Sequence, residues 1–296
     1  MIKRNLFKFL LVLAILNPIF AGVARANDLQ DLLGNDIDET VALKMLKEKP
    51  ELLKERDSSG RNALHIAAEY ARTNVVKWLL KHKANVNATD FNGDTPIFLT
   101  ENGDIARMLI DDKADLKIRD NWGKTALEHA AQMQYGQVCE AILDSGFRLD
   151  LTSALLLGKR EEAKKIIRKH PLEVQRPTAD SDLWGNTSPL GIAAGNGDVE
   201  MTKILLWAGA PVNAETKCPN SGPITPLCNA VWGGHIATAR LLCDAGANCN
   251  VTGGKLYPRL LDFAAEHSDP DMIDLLVSHG AKFGKDSLKG QTPPAQ

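Results

Sequence analysis

The chain has 296 residues, of which 44% are hydrophobic and 24% charged, and its formal net charge is −2. That balance is ordinary for a folded protein and excludes a chain that is disordered as a whole. Aromatic residues make up only 5%; Ala and Leu carry the apolar share, which favours small, closely packed helices over a sandwich or barrel.

Residues 1–26 read as a secretory signal. Lys3, Arg4 and Lys8 form a positive start, Phe9 to Leu16 is unbroken apolar sequence, Asn17-Pro18 interrupts it, and Ala24-Arg25-Ala26 has the small-x-small cleavage pattern. The expected cut lies between Ala26 and Asn27. Even extended to Phe20, the apolar stretch is shorter than the roughly 20 residues a bilayer span needs, so an uncleaved anchor is the minor alternative. Lys3-Arg4 is not a twin arginine, and no Cys precedes Cys139 to carry a lipid. Loss of the four basic residues of this segment leaves 31 basic against 37 acidic side chains, a net charge near −6. An acidic body of this kind argues against nucleic acid and anionic membrane as partners. The densest basic run, from Lys159 to Lys169, is interrupted by Glu161-Glu162 and is expected to be a solvated helix face.

The segment 27–57 has a two-helix pattern that includes Val41-Ala42-Leu43 and Leu46, dotted with charge, as suits an N-terminal cap. A repeat then begins. Gly60, Gly93, Gly123, Gly185 and Gly222 recur at intervals of 33, 30, 62 and 37 residues, the longest gap hiding one unit without a turn of its own. The first four are preceded three residues earlier by Asp57, Asp90, Asp120 and Asp182. Asp accepts from the backbone two residues on and Gly permits positive φ, so each is a tight-turn signature.

After the turns come helix starts with a hydroxyl at the N-cap: Thr95-Pro96, Thr125-Ala126, Ser188-Pro189 and Thr225-Pro226. Short helices with Ala-Ala pairs follow, as at Ala67-Ala68, Ala130-Ala131 and Ala193-Ala194. Second helices carry wider apolar stripes: Val75, Val76, Leu79 and Leu80; Val138, Ile142 and Leu143; Met201, Ile204, Leu205 and Leu206; Leu241, Leu242 and Cys243; Ile273, Leu275 and Leu276. Gly146, Gly209, Gly246 and Gly280 are placed to stop them. The units are read as 58–90, 91–120, 121–150, 151–183, 184–218, 219–250 and 251–283, with a flexible tail over 284–296. The unit at 91–120 is three residues short and reads Phe98-Leu99-Thr100 where others have polar-x-Ala. The unit at 151–183 lacks an opening turn and ends in the stretch from Pro171 to Trp184. These two are the expected weak seams of a linear array.

Turn, helix, turn, helix at this period, with Thr-Pro-Leu and Leu-Leu-x-x-Gly-Ala, resembles the ankyrin repeat family. Gly209-Ala210-Pro211-Val212-Asn213 and Gly246-Ala247-Asn248-Cys249-Asn250 resemble the family's Gly-Ala-x-x-Asn exit; so does Lys83-Ala84-Asn85-Val86-Asn87, with Lys in place of Gly. The resemblance runs from about Asn27 to Phe283. It implies an all-α solenoid of about eight helix-turn-helix units with short β-hairpin or turn connections. It also implies that His65 is a structural histidine bonding between neighbouring turns, a position that Cys228 takes in its own unit.

No catalytic or metal-binding pattern emerges. The seven histidines show no His-x-x-x-His spacing, and no nucleophile elbow or phosphate-cradling glycine loop is present. No catalytic residue, metal or cofactor is therefore expected. Cys139 and Cys243 fall on apolar stripes and read as core residues. Cys218 and Cys249 lie in successive inter-unit turns, and an exported chain would meet oxidising conditions. A Cys218–Cys249 disulfide is expected, with Cys218–Cys228 as its rival.

Exposed aromatics mark the expected binding face. Phe91, Trp122 and Trp184 lie in the Asp-x-x-Gly tips, and Tyr70, Tyr135 and Trp232 follow the small-residue pair of first helices. Tips and inner helices are where proteins similar to this family contact partners, and aromatic anchors dominate binding energy. Trp207, on a second helix, is the weaker candidate. The expected function is stoichiometric binding of another protein by a monomeric, exported module, periplasmic or else released outside the cell. A secreted effector acting on a host protein and an enzyme with a site in the concave groove are the rival readings.

Overall fold

The computed structural model describes residues 33–34, 38–175, 188–218, 222–253, 257–267 and 269–284. Within them lie fifteen α-helices, two 3-10 helices and two short hairpins. No helix among the described residues is long and apolar enough to cross a membrane. The chain divides into two compact units, residues 1–147 and 148–296.

The first unit opens with α1 (Glu39–Glu48), capped by the Asp38 carboxylate, which accepts from Thr40 N–H. A 3-10 helix, Pro50–Lys54, follows. Three helix pairs come next: α2 (Ala63–Glu69) with α3 (Thr73–Lys81), α4 (Pro96–Leu99) with α5 (Gly103–Asp111), and α6 (Ala126–Gln132) with α7 (Gly136–Asp144). First helices pack in the order α2–α4–α6, and second helices in the order α1–α3–α5–α7. Each second helix turns one face inward; α3 buries Val75, Val76, Leu79 and Leu80. The short unit keeps this pattern because its three missing residues are close to one helical turn. Helix α4 has four residues where α2 and α6 have seven. Its face is unchanged, and Phe98 packs edge-on against His129 at 5.7 Å between ring centroids.

The second unit opens with α8 (Leu151–Leu156) and α9 (Arg160–Lys169), followed by a 3-10 helix, Pro171–Gln175. No turn precedes α8. Asp150 caps it by accepting from Ser153 N–H, and Glu173 accepts from Leu151 N–H at 3.0 Å while pairing with Arg148 at 2.5 Å. Then come α10 (Pro189–Gly195) with α11 (Val199–Trp207), α12 (Pro226–Trp232) with α13 (Ile236–Asp244), and α14 (Leu260–Glu266) with α15 (Pro270–Ser278). Strands β1 (Thr216–Cys218) and β2 (Gly222–Ile224) pair antiparallel, as do β3 (Thr252–Gly253) and β4 (Tyr257–Arg259). One apolar core runs through this unit, from Leu151 and Ala154 through Leu190, Leu205, Leu227 and Leu242 to Leu275 and Leu276. The basic run on α9 is matched by carboxylates: Lys164 meets Glu161 and Glu200, Lys165 meets Glu162, and Arg160 meets Asp198.

Candidate partner-binding surface

The Asp-x-x-Gly turns of the first unit share one construction. Asp57 accepts from the N–H groups of Ser59 and Arg61, Asp90 from those of Asn92 and Asp94, and Asp120 from those of Trp122 and Lys124, all between 2.7 and 3.0 Å. Gly60, Gly93 and Gly123 hold φ near +80°, at 80°, 81° and 76°. Adjacent turns are laddered: Phe91 N–H donates to Ser59 C=O at 3.0 Å, and Asn121 N–H to Asn92 C=O at 2.8 Å. The Arg56 guanidinium donates to both Gly60 and Thr89 carbonyls.

Register along this ladder decides which aromatic is presented. The residue following each Asp lies over the glycine of the preceding turn. A Cβ on Gly60 would come within 2.6 Å of the Phe91 ring, and one on Gly93 within 2.9 Å of Asn121. Phe91 therefore rests one face on bare backbone and keeps 70% of its surface exposed. Trp122, one position further along its turn, is half-buried. Behind this edge, Arg61 joins the Asp57 carboxylate to Glu69 at the end of α2. Burial works to raise the Asp57 pKa, but hydrogen bonds from Arg61 and from the Ser59 N–H outweigh it and hold this carboxyl below its ordinary value. Burial pushes Glu69 up, and Arg61 only partly offsets it.

Tyr70 and Tyr135 form a second row. They sit between paired helices, Tyr70 at the C-cap of α2 and Tyr135 at the N-cap of α7, and both are half-buried. A seven-residue helix, about 10 Å long, separates each from its tip. Trp232 closes α12 in the second unit and is also half-buried. Trp184, and the expected cleavage site at Ala26 and Asn27, lie outside the described residues. Trp207 at the end of α11 is 91% exposed, more than any expected anchor among the described residues. Helical spacing carries that signal, because Met201, Thr202 and Leu205 define the buried face of α11 and Trp207 falls off it. Met133, half-exposed beside Tyr135, was not singled out by the sequence.

His65 behaves as the resemblance implies: it is fully buried, and its Nε2 donates to Asp94 C=O of the next turn at 3.0 Å. Burial pushes its pKa down. Cys228 at the equivalent place is buried against the Thr225 hydroxyl at 3.3 Å. Asn87, Asn213 and Asn250 each tie one exit turn to the next. Asn87 accepts from Asp115 N–H, Asn213 from Asn248 N–H and Asn250 from Lys282 N–H, and their amides donate to Lys113, Gly246 and Gly280 carbonyls.

Cys249 and Cys228 are both free thiols in this structure, which holds neither the expected Cys218–Cys249 bond nor its Cys218–Cys228 rival. Past Gly246 the chain turns back, and the Cys249 side chain tucks under the end of its own helix beside Cys243 instead of reaching toward strand β1, which carries Cys218. Among the described residues, no group of three His, Cys, Asp or Glu is arranged to hold a metal ion.

Comparison with known proteins agrees with this repeating scheme. The family profile "Ankyrin repeats (many copies)" matches residues 45–97, and "Ankyrin repeats (3 copies)" matches residues 87–153 and 151–253. The chain is 26% identical over 238 residues to ankyrin repeat domain-containing protein SAT10 of Stachybotrys chartarum, covering 80% of this chain and 10% of that protein. It is 26% identical over 259 residues to human transient receptor potential cation channel subfamily A member 1, covering 82% of this chain and 23% of the channel. It is 29% identical to human Rabankyrin-5 over 66% of this chain and 14% of that protein. The chain thus spans a quarter or less of the length of these relatives. Among solved structures it is similar to the ankyrin repeat domain of Bcl-3, at 22% identity and TM-score 0.39, covering 74% of this chain and 100% of that one. Ankyrin repeats are generally protein-binding modules, and proteins built from them are typically non-enzymatic scaffolds. Laddered Asp-x-x-Gly turns, the buried tie from His65, the asparagine bridges and the matched profiles together place this chain in the ankyrin repeat family.

Proposed function

We propose that this chain is an exported ankyrin-repeat module that binds another protein stoichiometrically, with the turn-tip edge of the first unit as its primary contact surface. The observation that carries the reading is Phe91. Exposure alone does not single it out, since Phe91 is 70% open to solvent and Trp207 91%; what distinguishes Phe91 is the way its ring is held. Its frame is rigid: the ring rests on Gly60 and its backbone is bonded to the preceding turn. An aromatic held this way loses little side-chain entropy on binding, the property that marks interface anchors. The supporting positions are Trp122 on the same edge and Tyr70 and Tyr135 in the second row. Export, to the periplasm by preference, rests on the sequence of residues 1–26. Acting outside the cytoplasm, the module would hold, shield or inhibit its partner without chemistry of its own.

The test is capture of partner proteins from the native exported fraction by the chain, by Phe91→Ala and by Trp207→Ala. Phe91→Ala should weaken binding of the shared partner by about 30-fold, the size expected for a hot-spot truncation of about 2 kcal/mol, while Trp207→Ala binds normally. Equal affinity of the chain and Phe91→Ala would refute the tip reading. N-terminal sequencing of the exported protein tests the other half: a start at Asn27 is expected, and retention of Met1 in the cytoplasm would remove export.

A further inference from the structure

The end of α13 holds two thiols that the binding surface does not use. Helix α13 finishes at Asp244, and Gly246 takes a left-handed φ of 88° that sends the chain back beneath the helix. This brings Cys249 Sγ to 3.4 Å from Cys243 Sγ, with both side chains buried. Cys228, by contrast, is buried against the Thr225 hydroxyl. Beside the pair, His279 bonds to Asp244 at 3.1 Å.

We propose that Cys243 and Cys249 form a reversible disulfide within one repeat, a redox site that clamps the end of α13 to the turn leading into the next repeat. Two sulfurs at 3.4 Å are in van der Waals contact. A bond of about 2.05 Å needs them to approach by about 1.4 Å, within reach of side-chain rotation and a small shift of the turn. The consequence lies on either side of Cys249. Asn248 N–H donates to Asn213, and Asn250 bonds both Gly280 C=O and Lys282 N–H. A disulfide at Cys249 therefore fixes a turn that is tied to both the preceding and the following exit turns.

The chemistry balances with an external disulfide, such as oxidised glutathione or an oxidase dithiol in its disulfide form, as the oxidant. Cys249 loses its proton, and its sulfur attacks one sulfur of the oxidant; the oxidant's S–S bond breaks and a thiolate leaves. Cys243 then attacks Cys249 Sγ, displacing the second oxidant sulfur, which takes up the proton from Cys243. Two protein thiols are oxidised by two electrons, and one disulfide is reduced to two thiols. The S–H···S hydrogen bond holds Cys249 below the ordinary thiol range and pushes Cys243 up, which makes Cys249 the attacking and Cys243 the resolving sulfur. Both thiols are buried, so the oxidant needs a local opening of the structure around them to reach Cys249. The geometry holds in any compartment; export would decide only which form prevails.

The purified full chain, equilibrated in glutathione buffers from fully reduced to fully oxidised, alkylated and digested with trypsin, tests this directly. Arg240 and Lys255 bound a peptide, 241–255, that contains Cys243 and Cys249 and no other cysteine; the preceding peptide, 218–240, contains Cys218 and Cys228. In oxidising buffer the 241–255 peptide should be two hydrogens lighter and unalkylated, and in reducing buffer doubly alkylated, with the same result in Cys218→Ser. Double alkylation throughout the series, linkage of 241–255 to 218–240, or a bond that appears only in urea-unfolded protein would each overturn the proposal.

Discussion

The two compact units share one element and otherwise hold their repeats together by different means. In each, a ten-residue helix (α1 or α9) ends at a residue outside helical geometry, Lys49 or His170, followed by a five-residue 3-10 helix that begins with proline. Beyond this shared element the first unit relies on charged and polar ties. Its fourth cap position carries His65, bonded to the next turn, or Glu128, which accepts from Thr125 and Arg119 in a full capping box. The second unit has Gly191 and Cys228 there, and Ser188 and Thr225 cap their helices alone. Left-handed positions divide the same way. Among the described residues, all four non-glycine residues with positive φ (Ala71, Lys83, Lys113 and Gln134) are in the first unit, beside Gly60, Gly93, Gly123 and Gly146, whereas the second uses glycine alone: Gly158, Gly197, Gly209, Gly234, Gly246 and Gly280. One architecture is thus stabilised by titratable groups at some strain in one half, and by small residues and thiols in the other.

The largest effect should come from removing the tie that distinguishes the first unit. His65→Ala leaves a buried void and takes one of two donors from the Asp94 carbonyl, which keeps its bond from Asp90 N–H, and should cost about 3 kcal/mol in urea unfolding. Cys228→Ala at the matching place, which loses one sulfur and a weak hydrogen bond, should cost about 1 kcal/mol. Equal losses would erase the contrast. Next is Gly197→Ala in the second unit. Its φ is 65°, and a Cβ would lie 2.6 Å from His235 Nδ1, on a ring whose Nε2 donates to Gly195 C=O. Strain and a displaced ring should cost about 2 kcal/mol.

Which of these features the sequence carries depends on how local their cause is. Turn glycines, N-caps and helix stops were legible because each is set by a few neighbouring residues, and His65 because its unit repeats closely enough to align. Phe91 was legible as an exposed tip residue, but its prominence over Trp122 and the direction of Cys249 were not. Phe91 is exposed through its register on Gly60, thirty-one residues earlier, while Trp122, in the same tip motif, is half-buried. The direction of Cys249 follows from the reversal at Gly246, which brings residues six apart together and leaves Cys218 to its hairpin. Lys113 occupies a left-handed helix stop that no glycine announces.

A gain is expected from Thr238→Val. Thr238 is buried in α13 with its hydroxyl unpartnered, at the place that Val75 and Val138 fill in α3 and α7. Replacing that hydroxyl by a methyl of similar volume should add about 1 kcal/mol. No gain would mean that the second unit does not carry the burden its buried hydroxyls imply.

The pH response should then separate the units by sign. Burial lowers the His65 pKa from 6.5, so the unfolded chain binds the proton first; stability is present above 6.5 and is lost as pH falls below it. His279 is raised, chiefly by its bond to Leu275 C=O and then by Asp244, so its contribution is present below 6.5 and is lost as pH rises through its higher value. Urea midpoints of His65→Gln and His279→Gln across neutral to mildly acid pH check this, since each variant should remove its own slope and leave the other.

The smallest change is the most direct probe of strain in the first unit. Ala71 holds φ of 52° between α2 and α3, where the second unit places Gly158, Gly197 and Gly234 at 65°, 65° and 69°. An L-residue in this region costs roughly 1–2 kcal/mol. Glycine removes that cost but gives the unfolded chain more freedom, so Ala71→Gly should gain only about 0.5 kcal/mol. Gln134→Gly, between α6 and α7 at φ 61°, should gain about as much by the same balance. Because the two sites lie in different helix pairs, the double variant should show their sum. A sum well below that would mean the strain at one site is relieved by its neighbours, and that the contrast in glycine usage reflects composition more than stored energy.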